Sequence, residues 1–173
     1  MASNLKNLSD FQGAEIPDGR DIKIGIVTAR WNKDVTNALL EGALKTLSAY
    51  NVADENIIKI DVPGTFELTL GAQNLLEYTD VDAVIVLGCV IQGDTRHFDF
   101  ICSGVTQGIT ELNLKYNLPV VFGVLTTDNL EQALDRAGGK LGNKGDEAAA
   151  TALQMVSLQK SLRQNYLDGF PDE

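Results

Sequence analysis

Short apolar segments alternate with longer amphipathic segments along most of the chain. Four apolar runs, at residues 22–28, 57–62, 83–91 and 120–126, have the length and the aliphatic content of buried strands. Apolar residues at helical spacing follow in the stretches 32–50, 65–78, 97–116 and 146–166. This alternation predicts an α/β fold in which a four-stranded parallel sheet is covered by helices on both faces.

Turn and capping residues mark the ends of these elements. Asn32 or Asp34 can cap the first predicted helix. The sequence Asp128-x-x-Glu131 has the character of a capping box and predicts a further short helix, which Gly138 ends. A glycine-rich turn is predicted at residues 138–145, before the last helix.

The elements fit a single domain over residues 22–166, between a C-terminal tail at 167–173 and an N-terminal tail at 1–21, which could also be a strand that pairs outside the domain. The 173 residues carry 24 acidic and 14 basic side chains, and this formal net charge of −10 argues against nucleic acid or an anionic membrane as a partner. Neither a membrane span nor a signal-peptide core is visible in the sequence. Two cysteines without metal-ligand spacing favour a reduced, cytoplasmic protein.

Three of the predicted strands end in loops with distinctive side chains. These are Trp31, the triplet Thr65-Phe66-Glu67, and the segment 92–97, which ends in His97, the only histidine. Because parallel strands end at the same edge of a sheet, the loops are expected to meet there. The aromatic residues favour a slot for a flat heterocycle, although either alone would fit ordinary packing. His97 can transfer protons near neutral pH, whereas an isolated histidine more often only caps a helix.

A second group of residues favours an anion. Asp94 and Thr95 precede a predicted helix, whose N-terminal N–H groups can bind phosphate together with the guanidinium of Arg136. Arg136 on its own would more often face water. The turn at 138–145 does not match a P-loop, and the sequence contains no dinucleotide-binding, serine-hydrolase or zinc motif. With a single histidine and no cluster of ligands, we therefore expect no catalytic metal.

Five motifs carry a family resemblance: IGIVTARWN (24–32), VPGTFEL (62–68), LGCVIQGDTRHFD (87–99), VVFGVLTTDNLEQALDRAG (120–138) and GNKG (142–145). In this order and spacing, over about residues 22–158, they resemble the 6,7-dimethyl-8-ribityllumazine synthases. The resemblance implies a flavodoxin-like three-layer αβα sandwich. It also implies a transferase in riboflavin biosynthesis that condenses 5-amino-6-(D-ribitylamino)uracil with (2S)-2-hydroxy-3-oxobutyl phosphate, releasing phosphate and water.

The resemblance assigns roles to individual residues. By resemblance, His97 is the proton donor and Trp31 stacks on the pyrimidine. The residues that would hold the ribityl chain and the ring are Thr65, Phe66, Glu67, Cys89, Val90, Ile91 and Phe122. Those that would bind the phosphate are Asp94, Thr95 and Arg136. Since the family builds this site between neighbours, Phe122 and Arg136 are expected from an adjacent subunit.

The resemblance also implies an assembly. Members of the family form homopentamers, and some stack them into decamers or close twelve of them into an icosahedral capsid of 60 subunits. The short turn at 138–145 is compatible with a capsid. Gln92 stands where a basic residue is common, which leaves less positive charge around the phosphate.

Two alternative hypotheses remain open at this point. The protein could be a non-catalytic flavin-binding or shell-forming relative, or it could be a riboflavin synthase of similar fold.

Overall fold

A parallel β-sheet forms the centre of the protein. The computed structural model of the protein describes residues 7–11 and 15–168. The four strands are β1 (Ile24–Ala29), β2 (Ile57–Val62), β3 (Ala83–Ile91) and β4 (Val120–Thr127), which pair in the order β2-β1-β3-β4. All three pairings are parallel, which confirms the predicted sheet.

Helices cover both faces of this sheet. They are α1 (Lys33–Ala49), α2 (Leu68–Tyr78), α3 (His97–Tyr116), α4 (Leu130–Asp135) and α5 (Lys144–Asp168). Helices α1 and α5 pack on one face, and α2 and α3 pack on the other. The result is a flavodoxin-like three-layer sandwich. In the part of the chain that the structure describes, no helix has the length and apolar character needed to cross a membrane.

The two central strands explain why the sheet needs helices on both faces. Side chains alternate along a strand, so Ile24 and Ile26 of β1 pack toward α1 and α5, whereas Val27 packs toward α2. Ile85 of β3 and its neighbour Val86 divide in the same way. Each fully buried aliphatic side chain stabilises the fold by roughly 1.5–3 kcal/mol relative to exposure. The near-continuous apolar runs in the sequence are therefore strands buried on both sides.

Several predicted boundaries differ from the structure. Strand β1 begins at Ile24 rather than at residue 22, and the helix after β2 starts as a 3-10 turn at Thr65–Glu67. The predicted capping box at Asp128-x-x-Glu131 was wrong in its register, because Asn129 caps α4 and accepts a hydrogen bond of 2.9 Å from the Gln132 N–H. Helix α4 also ends before Gly138, because the chain enters a hairpin there.

The segment predicted as a glycine-rich turn is a small β-hairpin. Strands β5 (Ala137–Gly139) and β6 (Gly142–Asn143) pair antiparallel, and α5 starts at Lys144, two residues before the predicted position. Gly138 and Gly142 have φ of 101° and 82°, which glycine adopts far more readily than other residues. Asn143 Nδ2 donates to the Ala38 carbonyl of α1 over 2.8 Å, and its Oδ1 accepts from the Gly145 N–H over 2.8 Å. Asn143 thus joins the hairpin to α1 and α5.

Parts of the predicted N-terminal tail pack against this domain. The Leu8 side chain is buried, and its N–H donates to the Leu141 carbonyl over 2.8 Å. Ser9 Oγ accepts a hydrogen bond of 2.9 Å from the Asn143 N–H, so this segment lies on the hairpin. Residues 1–6 and 12–14 of the predicted tail lie outside the described residues. So do residues 169–173 of the predicted C-terminal tail.

Candidate active site

The three loops that follow β1, β2 and β3 meet at the carboxyl edge of the sheet, as their parallel order requires. They enclose an open cavity of about 760 Å³. The cavity is lined by residues 31–32, 64–67, 89–91, 93, 95, 97–98 and 100–101. In an α/β sheet this edge is the common position of a ligand site.

Two aromatic side chains form exposed apolar surfaces in this cavity. Trp31 is 72% exposed and Phe66 is 56% exposed, although both are large apolar groups. The Trp31 N–H donates to the Pro63 carbonyl over 3.2 Å, which holds the loop after β1 against the loop after β2. The Phe66 ring lies over Gly104 of α3, where a Cβ would come within 2.8 Å of the ring. Exposed rings with fixed surroundings are suited to stacking on a flat heterocycle.

Asp34, one of the two residues predicted to cap α1, lies inside the helix, and the other, Asn32, does not cap it through its side chain. Asn32 occupies the N-cap position with φ 58° and ψ 44°, and its side chain makes no capping hydrogen bond. Its Nδ2 donates instead to the Cys89 carbonyl at the end of β3, over 3.0 Å. The Thr65 hydroxyl lies 3.5 Å from the same oxygen, at the long limit of a hydrogen bond. The loops after β1 and β2 therefore both reach the Cys89 carbonyl, near the end of β3.

The Cys89 side chain is a neutral thiol in this environment. Burial raises the pKa of Cys89 to about 11. A thiol with such a pKa is a poor nucleophile at neutral pH, because only the thiolate attacks. The side chain of Cys89 is buried, and its carbonyl is the group that Asn32 contacts.

The loop after β3 brings polar groups to the same cavity. The Gln92 N–H donates to the Thr127 carbonyl over 2.8 Å, which anchors the loop to β4. Helix α3 starts at His97, whose N–H lies 3.4 Å from Thr95 Oγ1. The imidazole of His97 is exposed and lines the cavity beside Thr95. Backbone N–H groups at a helix N-terminus and the His97 imidazole give this edge both an anion-binding and a proton-transfer capacity.

Comparison with known proteins decides the family. A family model described as 6,7-dimethyl-8-ribityllumazine synthase matches residues 21–160. The chain belongs to this family. A protein of that name from Parabacteroides distasonis is 59% identical over 158 residues, covering 91% of this chain and 99% of the relative. One from Cytophaga hutchinsonii is 62% identical over 157 residues, covering 91% and 98%, and one from Porphyromonas gingivalis is 54% identical over 160 residues, covering 92% and 99%.

Three residues that the lumazine synthase resemblance assigned to the site do not line the cavity of this chain. They are Asp94, Phe122 and Arg136. Phe122 lies in β4 opposite Val86, and Arg136 lies at the end of α4, where its guanidinium donates to the Gln132 carbonyl over 2.9 Å. Every other residue assigned by the lumazine synthase resemblance lines the cavity of a single chain.

The cavity also contains residues that sequence reasoning did not assign to it. Besides Asn32, these are Gly64, Phe98, Phe100 and Ile101. For the residues of α3, the available signal was a cluster of large apolar side chains that directly follows the polar loop 92–97. Among the described residues, no group of three or more His, Cys, Asp or Glu side chains is placed to hold a metal ion.

Proposed function

We propose that the protein condenses 5-amino-6-(D-ribitylamino)uracil with (2S)-2-hydroxy-3-oxobutyl phosphate to 6,7-dimethyl-8-(D-ribityl)lumazine, the penultimate step of riboflavin biosynthesis. It is a transferase of the lumazine synthase family. The single observation that carries the proposal is the cavity in which Trp31, Phe66 and His97 meet, in a chain that matches the family model over residues 21–160.

The uracil substrate binds in the aromatic part of the cavity. Trp31 stacks on the pyrimidine ring, and Phe66 covers the neighbouring apolar surface. Backbone groups of residues 89–91, at the end of β3, bind the polar edge of the ring. The carboxylate of Glu67, next to Thr65, accepts hydrogen bonds from hydroxyl groups of the ribityl chain.

The phosphate of the second substrate binds at the N-terminus of α3. Backbone N–H groups of Asp94 and Thr95 donate to its oxygens, with Asp94 acting through its backbone rather than its charge. Arg136 supplies a guanidinium, and both Arg136 and Phe122 come from an adjacent subunit. Their position outside the cavity of their own chain supports this arrangement. Since Gln92 is neutral, Arg136 carries a larger share of the attraction for phosphate.

The reaction requires proton transfers but neither a covalent intermediate with the protein nor a cofactor. The ring amine attacks the ketone and gives an imine with loss of water. Phosphate is then eliminated, the resulting enol becomes a ketone, and the ribitylamino nitrogen attacks that ketone and closes the ring with loss of a second water. His97 donates and accepts protons in these steps, since it is exposed beside the phosphate site. Holding two reactants in one cavity supplies much of the remaining acceleration.

The same proposal includes an assembly and a location. A site completed by Arg136 of a neighbour requires a homo-oligomer, and we propose a homopentamer in the cytoplasm. A capsid of twelve pentamers is compatible with the compact hairpin at Ala137–Asn143. Light scattering of the purified protein distinguishes a pentamer, a decamer and a 60-subunit capsid by mass.

The test is to mix the purified protein with both substrates and to follow lumazine absorbance and phosphate release together. A reaction without enzyme is the baseline, because this condensation proceeds unaided. We expect turnover well above the baseline, and a large loss in Arg136→Ala. Arg163→Ala is the matched control, because Arg163 is exposed on α5 and lies outside the cavity. No acceleration in a protein that still binds riboflavin would overturn the proposal.

A further inference from the structure

Asn32 has a left-handed backbone conformation, which is unusual for a residue just before a helix. The described residues include three non-glycine residues with positive φ: Asn32, Asn51 and Asn117. Asn117 follows the last residue of α3, and Asn51 follows the end of α1, where a left-handed residue is a common helix terminator. Asn32 instead precedes the first residue of α1, where an extended backbone is usual. Helix termination therefore does not explain its conformation.

The partner of the Asn32 side chain is a carbonyl that the sheet leaves open. Strand β1 pairs with β3 only as far as Thr28 opposite Leu87. Cys89 lies two residues further along β3, beyond the last β1 pairing. Its carbonyl accepts from Asn32 Nδ2 over 3.0 Å, and this contact is partly buried. The side chain thus extends the junction between β1 and β3 after the backbone ladder has ended.

Trp31 lies between two fixed points as a result. Its own N–H donates to the Pro63 carbonyl over 3.2 Å, and the next residue is held to Cys89. Its side chain is 72% exposed, so packing against the protein restricts the indole very little. The hydrogen bond of the Trp31 N–H and the side-chain hydrogen bond of Asn32 hold the backbone from which the indole projects.

We propose that Asn32 is a positioning residue, whose left-handed backbone and hydrogen bond to the Cys89 carbonyl aim the Trp31 indole into the cavity. The consequence for substrate binding rests on the proposed function, in which Trp31 stacks on the pyrimidine. The effect on the orientation and mobility of the indole does not rest on the proposed function. Asn32 acts through Trp31 and need not touch the reacting atoms.

Trp31 is the only tryptophan in the chain, so its fluorescence reports this one position. Asn32→Gly keeps the left-handed backbone accessible and removes the amide, whereas Asn32→Ala disfavours the backbone as well. The measurement is the time-resolved fluorescence anisotropy of the free protein, with KM for the uracil substrate and kcat. Asn117→Gly is the matched control, because it removes a left-handed asparagine that lies outside the cavity.

We expect Asn32→Gly to increase the fast local rotation of the indole and to raise KM for the uracil substrate by about 5-fold to 10-fold, the size of one hydrogen bond. The change in kcat is smaller, and Asn32→Ala has the larger effect on both readouts. Asn117→Gly leaves the anisotropy decay as in the wild type. An Asn32→Gly protein with the anisotropy decay and KM of the wild type would overturn the proposal. If the wild-type protein has no synthase activity but Asn32→Gly still increases the rotation of the indole, the proposed function is refuted and the positioning role is supported.

Discussion

Replacing Trp31 by alanine removes a ring that contributes more to the proposed substrate complex than to the fold. The residue is 72% exposed, so only about a quarter of its surface is covered by the protein. A covered area of roughly 60 Å² at about 25 cal/mol per Å² gives an upper limit near 1.5 kcal/mol for the loss of stability. Stacking of an aromatic side chain on a base is worth about 1–3 kcal/mol, or roughly 5-fold to 150-fold in affinity. We therefore expect a small fall in Tm and a large rise in KM for the uracil substrate.

Steady-state kinetics with each substrate varied in turn, together with thermal unfolding, measure the two effects separately. Trp31→Phe keeps a ring and is expected to retain most of the affinity. Tyr78→Ala is the control for exposure, since Tyr78 is 79% exposed and lies outside the cavity. An unchanged KM in Trp31→Ala would refute the stacking role. A loss of stability like that of a core truncation would refute the assignment of the ring to the cavity surface.

Two further substitutions and one labelling reaction test other parts of the protein. His97→Ala is expected to lower kcat by about 100-fold or less, because the reactants stay together in the cavity; a correctly assembled but inactive variant would contradict this. Asn143→Ala removes one hydrogen bond to the Ala38 carbonyl and leaves the Gly145 N–H without its side-chain partner, which costs roughly 1–3 kcal/mol in the free energy of unfolding. An effect no larger than that of Asn74→Ala, at an exposed position of α2, would contradict this. Burial raises the pKa of Cys89 to about 11, so its alkylation by iodoacetamide should be slow at neutral pH and should accelerate as the pH rises toward that value. Mass spectrometry of the Cys89 peptide measures the labelling, and rapid labelling at neutral pH would contradict the prediction.

The sequence predicted the elements well because each depends on short-range pattern. The buried run that became β3 and the helical spacing that became α3 were both visible locally, and both ends of these elements agree with the structure. The segment 138–145 was predicted as a turn because its glycines indicate a turn but do not indicate that the residues on either side pair as strands. The hairpin is attached to α1 by Asn143, whose partner Ala38 lies 105 residues away in the chain. A window of local sequence carries no record of such a partner.

The cavity shows the same division. The sequence by itself determined that Trp31, Phe66 and His97 end up at one edge of the sheet, because parallel strands place the loops that follow them together. Only the tertiary structure decided that Asn32 bonds to a carbonyl 57 residues away instead of capping its own helix. A cap would use the Asn32 Oδ1 as an acceptor, whereas the bond to Cys89 uses Nδ2 as a donor, and composition and spacing do not show which of the two is made. The open carbonyl at Cys89, which exists only where β1 stops beside β3, is the physical reason for the choice.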